Sequence, residues 1–364
     1  MNFLLASLLI AQSPDDCARA LEADLNKGDV ASFDRTFDSD AFYDRVVGKT
    51  ELSAPMAGLL KPLLRSACVS QAVFILPEPA CKFLRVRTVD GQTRALFRLV
   101  TSGGRFAYHD LVLAPRDGKL RIVDVFQCHA GEFHSATARR FFVPADEALD
   151  VLNLLRAPTP GDLTATTQDA PFFKLSELHQ QRDWKGVLAL FADKKADLAK
   201  VRLAHVLRID AAREVDKASH EKAVAGMLEA FPDDAAAHVA AIVGFIRYGQ
   251  VEKAIDAIDR LDKAVGGDVF LNVLRASAHL EAQADLPKAR ALAEKATAEE
   301  PALGIGWLTL IGIHAAAKDF KELARCLTLY EKHGKMIIGD LTMVPLYAEF
   351  VKSPEYAEWM KGRK

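Results

Sequence analysis

His109 and Asp124 are the residues whose types and spacing most suggest chemistry. They lie in successive alternating segments, Arg105–Ala114 and Lys119–Cys128. Read as a four-residue loop, Pro115-Arg116-Asp117-Gly118 sets Ala114 against Lys119, and so His109 against Asp124. A carboxylate that holds an imidazole in one tautomer makes a general base, and both side chains are expected on the apolar side of a sheet, where a pocket would use them. The same pair also reads as a buried polar contact that fixes strand register. Cys128-His129-Ala130-Gly131-Glu132-Phe133-His134 places four potential ligands close together. H-x-x-E-x-H is no established zinc spacing, however, and on a helix only His129 and Glu132 would share a face. His129, Glu132 and His134 therefore stand as metal candidates beside the plainer reading of a polar helix start. Gly48-Lys49-Thr50 lacks the first glycine of a phosphate-binding loop, Tyr43 standing in its place. Gly-x-Ser-x-Gly, nucleotide-binding glycine fingerprints and C-x-x-C pairs are absent, so no cofactor is expected.

The elements that must position these residues come in two kinds. Ser13-Pro14-Asp15-Asp16 is a helix start, with Ser as N-cap and Pro at the first helical position. Helical spacing continues through Leu21 and Leu25, then Val30, Phe33 and Phe37, then Phe42, Val46 and Val47, and through Met56–Cys68. The period then becomes alternating over Lys82–Val89, Gln92–Thr101, Arg105–Ala114 and Lys119–Cys128. Asp90-Gly91, Ser102-Gly103-Gly104 and Pro115–Gly118 separate these segments, which predicts an antiparallel meander. One face collects Leu84, Val86, Ala95, Phe97, Leu99, His109, Leu111, Leu113, Leu120, Ile122, Asp124 and Phe126. The other carries Arg85, Arg87, Arg94, Arg98 and Arg121 around Asp110, Tyr108 and Phe83. That cluster suits an anionic partner or a homodimer interface through the sheet, and equally a solvated sheet face.

Helices followed by a long meander, opening on Leu25-Asn26-Lys27-Gly28-Asp29-Val30 with Phe33 and Phe37, resemble the cystatin-like roll of the nuclear-transport-factor-like superfamily over residues 14–143. The resemblance implies an α+β roll. It also implies either a small-molecule pocket between helices and sheet or a domain used only for dimerisation or binding. A helix is expected over Pro144–Arg156. Residues 157–171 have linker composition, so that 144–171 separates the roll from the C-terminal half of the chain.

From Phe172 to Lys364 every apolar pattern is helical, and it repeats. Asp183-Trp184-Lys185-Gly186-Val187, Glu221-Lys222-Ala223-Val224, Glu252-Lys253-Ala254-Ile255, Leu286-Pro287-Lys288-Ala289 and Asp319-Phe320-Lys321-Glu322-Leu323 recur at about 34 residues, the tetratricopeptide period. Pro232 and Pro301 stand where that family closes a repeat, and Trp307 and Leu310 where the next one opens. Gly312 lies one place late for the family's packing glycine. The region thus resembles an all-α solenoid of four to five tetratricopeptide-like repeats. The resemblance implies a groove for a protein partner lined by Val239, Val243, Ile246, Phe270, Val273, Ser277, Leu308 and Gly312, without the basic clamp that grips carboxylate termini.

The 364 residues carry 47 Lys+Arg against 49 Asp+Glu and are 50% hydrophobic. This balance gives no basic excess for nucleic acid and too much apolar content for disorder, and no apolar run is long enough for a membrane helix. Phe3, Leu4, Leu5, Leu8, Leu9 and Ile10, followed by Ala11-Gln12-Ser13, read as a signal peptide over residues 1–13, although no basic residue precedes the block and Pro14 comes directly after it. Cys17, Cys68, Cys81 and Cys128 within one exported domain would suit two disulfides, and in a cytoplasmic protein they would be buried thiols. The expected function is that of a non-catalytic, periplasmic or secreted scaffold binding a protein partner. The alternatives are a cytoplasmic location and a small-molecule enzyme or receptor built on His109 and Asp124.

Overall fold

The structure is a computed structural model that describes residues 13–50, 52, 57–58, 60–62, 64, 80–142, 170–232, 234–334 and 337–363. The chain divides into two compact units, Met1–Thr101 with Arg105–Val215, and Ser102–Gly104 with Asp216–Lys364. The helix expected over Pro144–Arg156 and most of the 157–171 linker fall outside the described residues, as does most of Met56–Cys68.

In the first unit, Ser13 caps α1 (Pro14–Leu25), its Oγ accepting the Asp16 N–H at 3.1 Å. Asp38 caps α3 (Ser39–Val47) through the amides of Asp40 and Ala41, and α2 (Ala31–Thr36) lies between them. A five-stranded antiparallel meander comes next, in the order β1 (Ala80–Val89), β2 (Gln92–Val100), β3 (Phe106–Arg116), β4 (Lys119–Gln127) and β5 (Glu132–Phe133). Asp90-Gly91 and Asp117-Gly118 are both two-residue loops with positive φ at each position, the geometry that matches strand twist. Ala18, Leu21, Phe33, Phe42 and Val46 of the helices close over Phe83, Phe97, Leu99, Leu111, Ile122 and Val125 of the sheet. Asn26, at the end of α1, binds the Cys81 backbone twice, its amide donating at 2.7 Å and its carbonyl accepting at 2.9 Å. The side chain thereby acts as one more residue of strand pairing.

The registers of the first two hairpins are as expected, with Val89 facing Gln92 and Phe97 facing His109. The third differs twice. Pro115 and Arg116 continue β3, so the loop has two residues rather than four, and a bulge lies at Val112/Leu113. Another bulge at Phe83/Arg85 places Phe83, not Leu84, on the covered face. After β5 comes α4 (His134–Phe142).

The unit also contains α5 (Ala170–Gln180), α6 (Trp184–Ala192) and α7 (Arg202–Val215), which share a core of Phe172, Leu175, Val187, Leu198, Ala204 and Ala211.

The second unit is helical apart from Ser102–Gly104 and the turns. It runs α8 (Lys217–Ala230), α9 (Ala235–Arg247), α10 (Val251–Val265), α11 (Phe270–Glu281), α12 (Leu286–Glu299), α13 (Gly304–Ala316), α14 (Phe320–Gly334) and α15 (Pro354–Lys361). α9 with α10, α11 with α12 and α13 with α14 form hairpins, and the first helices of successive hairpins also touch. Each hairpin turns through one left-handed residue, Gly249, Gln283 or Lys318, with φ of 66°, 48° and 56°. The next amide then bonds the carbonyl five residues back, Gln250 to Phe245, Ala284 to His279 and Asp319 to His314. Arg182, between α5 and α6, repeats the device in the first unit. A second device recurs at helix starts, at α7 of the first unit and at α9 and α13 of the second. A ring N–H donates to the carbonyl six residues back from His205 to Ala199, from His238 to Pro232 and from Trp307 to Pro301.

Candidate functional site

His109 and Asp124 do not meet. The bulge pairs His109 with Gln127 and Asp124 with Val112, so the imidazole points to the covered face and the carboxylate to the other. Asp124 is a helix anchor. Its Oδ2 accepts the Ser135 hydroxyl at 2.5 Å and its Oδ1 the Ser135 and Val125 amides at 3.1 and 2.8 Å, with Arg45 at 3.7 Å. Burial pushes its pKa up, against the pull of these hydrogen bonds. The pair expected to make a general base is thus two separate structural contacts. The local signal for one of them was Ser135, a hydroxyl at the start of a helix.

His109 is 1% exposed, and among the described residues neither ring nitrogen has a partner. It stacks on His129 with ring centroids 5.7 Å apart, and His134 stacks on Phe42 at 5.4 Å. The Nδ1 atoms of His129 and His134 are also buried without a partner. Burial holds His109 well below the usual histidine range, with the other two imidazoles adding to the shift, and lowers His129 and His134 to about 4. At neutral pH the three rings are uncharged.

Glu132 is not available to a metal beside them. Arg140 forks onto it with two 3.0 Å bonds, and Thr137 donates to it at 2.5 Å. Cys128-His129-Ala130-Gly131 forms the turn into β5 rather than a helix start, which separates His129 from Glu132. Among the described residues no group of three or more His, Cys, Asp and Glu is arranged to hold a metal ion. Cys17, Cys81, Cys128 and Cys326 are buried free thiols, and burial pushes Cys81 and Cys128 up to about 12. Cys68 lies outside the described residues.

The arginines of the second sheet face are held within the chain. Arg87 forks onto Asp110 at 3.1 and 2.5 Å, Arg94 bonds Gln92 and lies over Phe126 and Phe133, and Arg121 donates to the Arg35 carbonyl. Arg94 and Arg98 are 4% and 2% exposed, and Leu96, Tyr108 and Asp110 on the same face are buried as well, while Arg85 is half-buried. This face is closed in a single chain, so neither a second copy nor an anionic partner reaches its centre.

The first helices of the three hairpins present another kind of surface. The faces of α9, α11 and α13 are almost uncharged, and most of their side chains are consumed in packing. Phe270, Val273 and Val239 are buried core residues, which corrects their assignment to the groove lining. Val243 is 40% exposed, and Ile246, Ser277, Leu308 and Gly312 keep part of their surface. These five form the accessible remainder of the expected lining. What the surface offers is apolar contact at intervals set by the hairpin repeat, without ionisable groups among the five.

No family model matches the chain, and no curated protein matches it. Among solved structures it is similar to the crystal structure of PilW, described as a widely conserved type IV pilus biogenesis factor, at 12% identity over 54% of this chain and 91% of that one. The TM-score is 0.41, too loose a superposition to carry an argument about this chain.

Proposed function

We propose that the protein is a non-catalytic scaffold whose tetratricopeptide-like hairpins bind an apolar segment of a protein partner. The observation that supports this most is the recurrence of one hairpin geometry in α9–α14, with first helices that carry few charges and leave Val243, Ile246, Ser277, Leu308 and Gly312 accessible. Each hairpin buries its flanks against its neighbours, so an inner face is what such a stack has to offer a partner. The separation of His109 from Asp124 weighs against a catalytic roll domain, because it removes the acid/base pair on which that reading rested. The apolar block ending in Ala11-Gln12-Ser13 supports export to the periplasm or medium.

The test is quantitative affinity capture from the native host with the full chain and with its Val243→Glu and Leu308→Glu variants. Specific partners should be lost from both variants; Val243→Glu should stay within about 0.5 kcal/mol of wild type, as for surface changes, whereas Leu308→Glu, at a position half-buried against the core around Trp307, should cost more, so the Val243→Glu result decides. Equal capture by all three proteins would overturn the reading. Mass analysis of the mature protein tests export separately, the expected N-terminus lying between Ala11 and Asp16.

A further inference from the structure

Two imidazoles of the second unit sit where the repeated hairpin needs only an apolar ring. The residue whose carbonyl accepts the turn amide is Phe245 near the end of α9, His279 on α11 and His314 on α13. All three are buried, at 8%, 6% and 1% exposure. Phenylalanine fills the place in the first of these hairpins, so packing alone does not call for nitrogen there. Among the described residues neither ring nitrogen of His279 has a hydrogen-bond partner, nor has Nε2 of His314, whose Nδ1 lies 3.6 Å from an Asp319 carboxylate oxygen. A buried polar atom left unpaired costs stability, and here the cost recurs at one place in two consecutive hairpins.

We propose that His279 and His314 make the stack a pH-sensitive device, in which α11 and α13 hold to their neighbours while both imidazoles are neutral and loosen as the rings take up protons. α11 packs against α9, α10, α12 and α13, and α13 against α11, α12 and α14, so a charge at these two places acts across both hairpins. The charged groups around them are of both signs. Glu252 of α10, Asp285 in the turn before α12 and Lys288 of α12 act on His279, and Arg290 and Glu294 of α12, Asp319 in the turn before α14 and Glu322 of α14 act on His314. α9 adds only His238 and its last residue, Arg247, and α13 carries no charged residue. On α11 itself Arg275 is held by Asp259 and Asp262, both at 2.7 Å, and Glu281 is exposed. Burial is the largest influence on both rings and lowers their pKa, with Lys288 and Arg290 acting in the same direction and the carboxylates in the other. Between the ordinary 6.5 and the folded values the unfolded chain binds more protons, so the contribution is complete above about pH 6.5 and is lost as pH falls. Ser277, Leu308 and Gly312 lie on the same two helices, so acid would act on the proposed groove as well, although the device does not rest on that reading.

Amide exchange of the full chain without a partner, compared at about pH 7.5 and about pH 5.5 as protection factors so that the intrinsic rate cancels, tests the proposal. The most protected amides of α11–α14 should lose up to about tenfold in protection for each histidine over that range. The double variant His279→Phe with His314→Phe puts at both places the ring that α9 already uses, and its protection should stay nearly constant. Each single variant should remove about half of the fall on a logarithmic scale. His279→Leu with His314→Leu, also unable to ionise, serves where Phe does not fit. His129→Phe, in the first unit, should leave the fall unchanged. Wild-type protection that changes by less than about twofold, a fall that persists in a folded double variant, or a fall abolished by His129→Phe would overturn the proposal.

Discussion

An imidazole buried without a partner contributes to stability only while it is neutral. The pKa values of His109, His129 and His134 lie below the ordinary 6.5 in the folded chain, so between 6.5 and their folded values the unfolded chain binds more protons. Their contribution is complete above about pH 6.5. Each group then loses up to ~1.4 kcal/mol per pH unit as pH falls toward its folded value, about 4 for His129 and His134, with His109 also held well below the ordinary value by burial. Asp124 acts in the opposite sense. Its raised pKa is a penalty felt at neutral pH and relieved on acidification, but it is one group against three. Amide-exchange protection of β3 should therefore fall steeply between about pH 6.5 and 4. His129→Phe, which keeps a ring against His109, should flatten that slope by about a third, and an unchanged slope would show that these rings are not the origin. Gly244 gives a prediction independent of pH. A Cβ there would overlap Cε1 and Nε2 of His220, a buried ring that packs on Tyr248 at 5.3 Å. Gly244→Ala should cost about 1–3 kcal/mol in a urea titration, because the ring has to be displaced.

At the scale of elements, one bulge decides which chemistry the sheet of the first unit contains. Shortening the third hairpin from four residues to two moves every pair by two and keeps each side chain on its face, whereas the single extra residue opposite Val112/Leu113 turns everything beyond it over. Alternation marked the strands, and Asp-Gly marked the turns, since both depend on local backbone preferences. The Asp117-Gly118 dipeptide was itself the signal for the shorter loop, and Pro115 obscured it by standing in the strand opposite Leu120. A bulge has no such signature, because it is settled by what packs beyond the strand. Here that is Ser135 and the start of α4 around Asp124. Helical periodicity likewise marked the hairpins of the second unit. It did not separate exposed from core positions on α9 and α11, because both are apolar there and Phe270 differs from Val243 only in tertiary burial. Single elements carry two predictions of their own. Asp124→Ala leaves the Ser135 amide and hydroxyl buried and unpartnered, and should cost about 1–3 kcal/mol with protection lost first over His134–Phe142. Gln283 holds φ at 48° in the turn where the preceding hairpin uses Gly249. Gln283→Gly relieves that strain and should raise stability by roughly 0.5–1 kcal/mol, read as a higher urea midpoint at unchanged slope.

Across the molecule, apolar surface is divided between faces that hold each unit together and faces left for something else, and the same substitution distinguishes them. Phe270 lies at 0% exposure on α11 and Val243 at 40% on α9, two helices that touch. Glutamate at 270 puts an unpaired carboxylate among Phe270's buried neighbours, with a cost of several kcal/mol, enough to consume much of the stability of an ordinary domain. Glutamate at 243 extends into solvent and costs about 0.5 kcal/mol or less. The two variants should therefore separate in thermal melts before any partner is added. Phe270→Glu should lose cooperative unfolding of the second unit, while Val243→Glu melts as wild type and fails only in partner capture. Trp307 lies in the second unit against His333, at 6.0 Å between ring centroids, and supplies an emission signal for that unit's unfolding. Because Trp184 belongs to the first unit, its separately assigned indole NMR signal should persist in Phe270→Glu when that of Trp307 is lost. If Phe270→Glu instead melts cooperatively and loses only partner binding, Phe270 belongs to the groove and the burial described for α11 does not hold in solution.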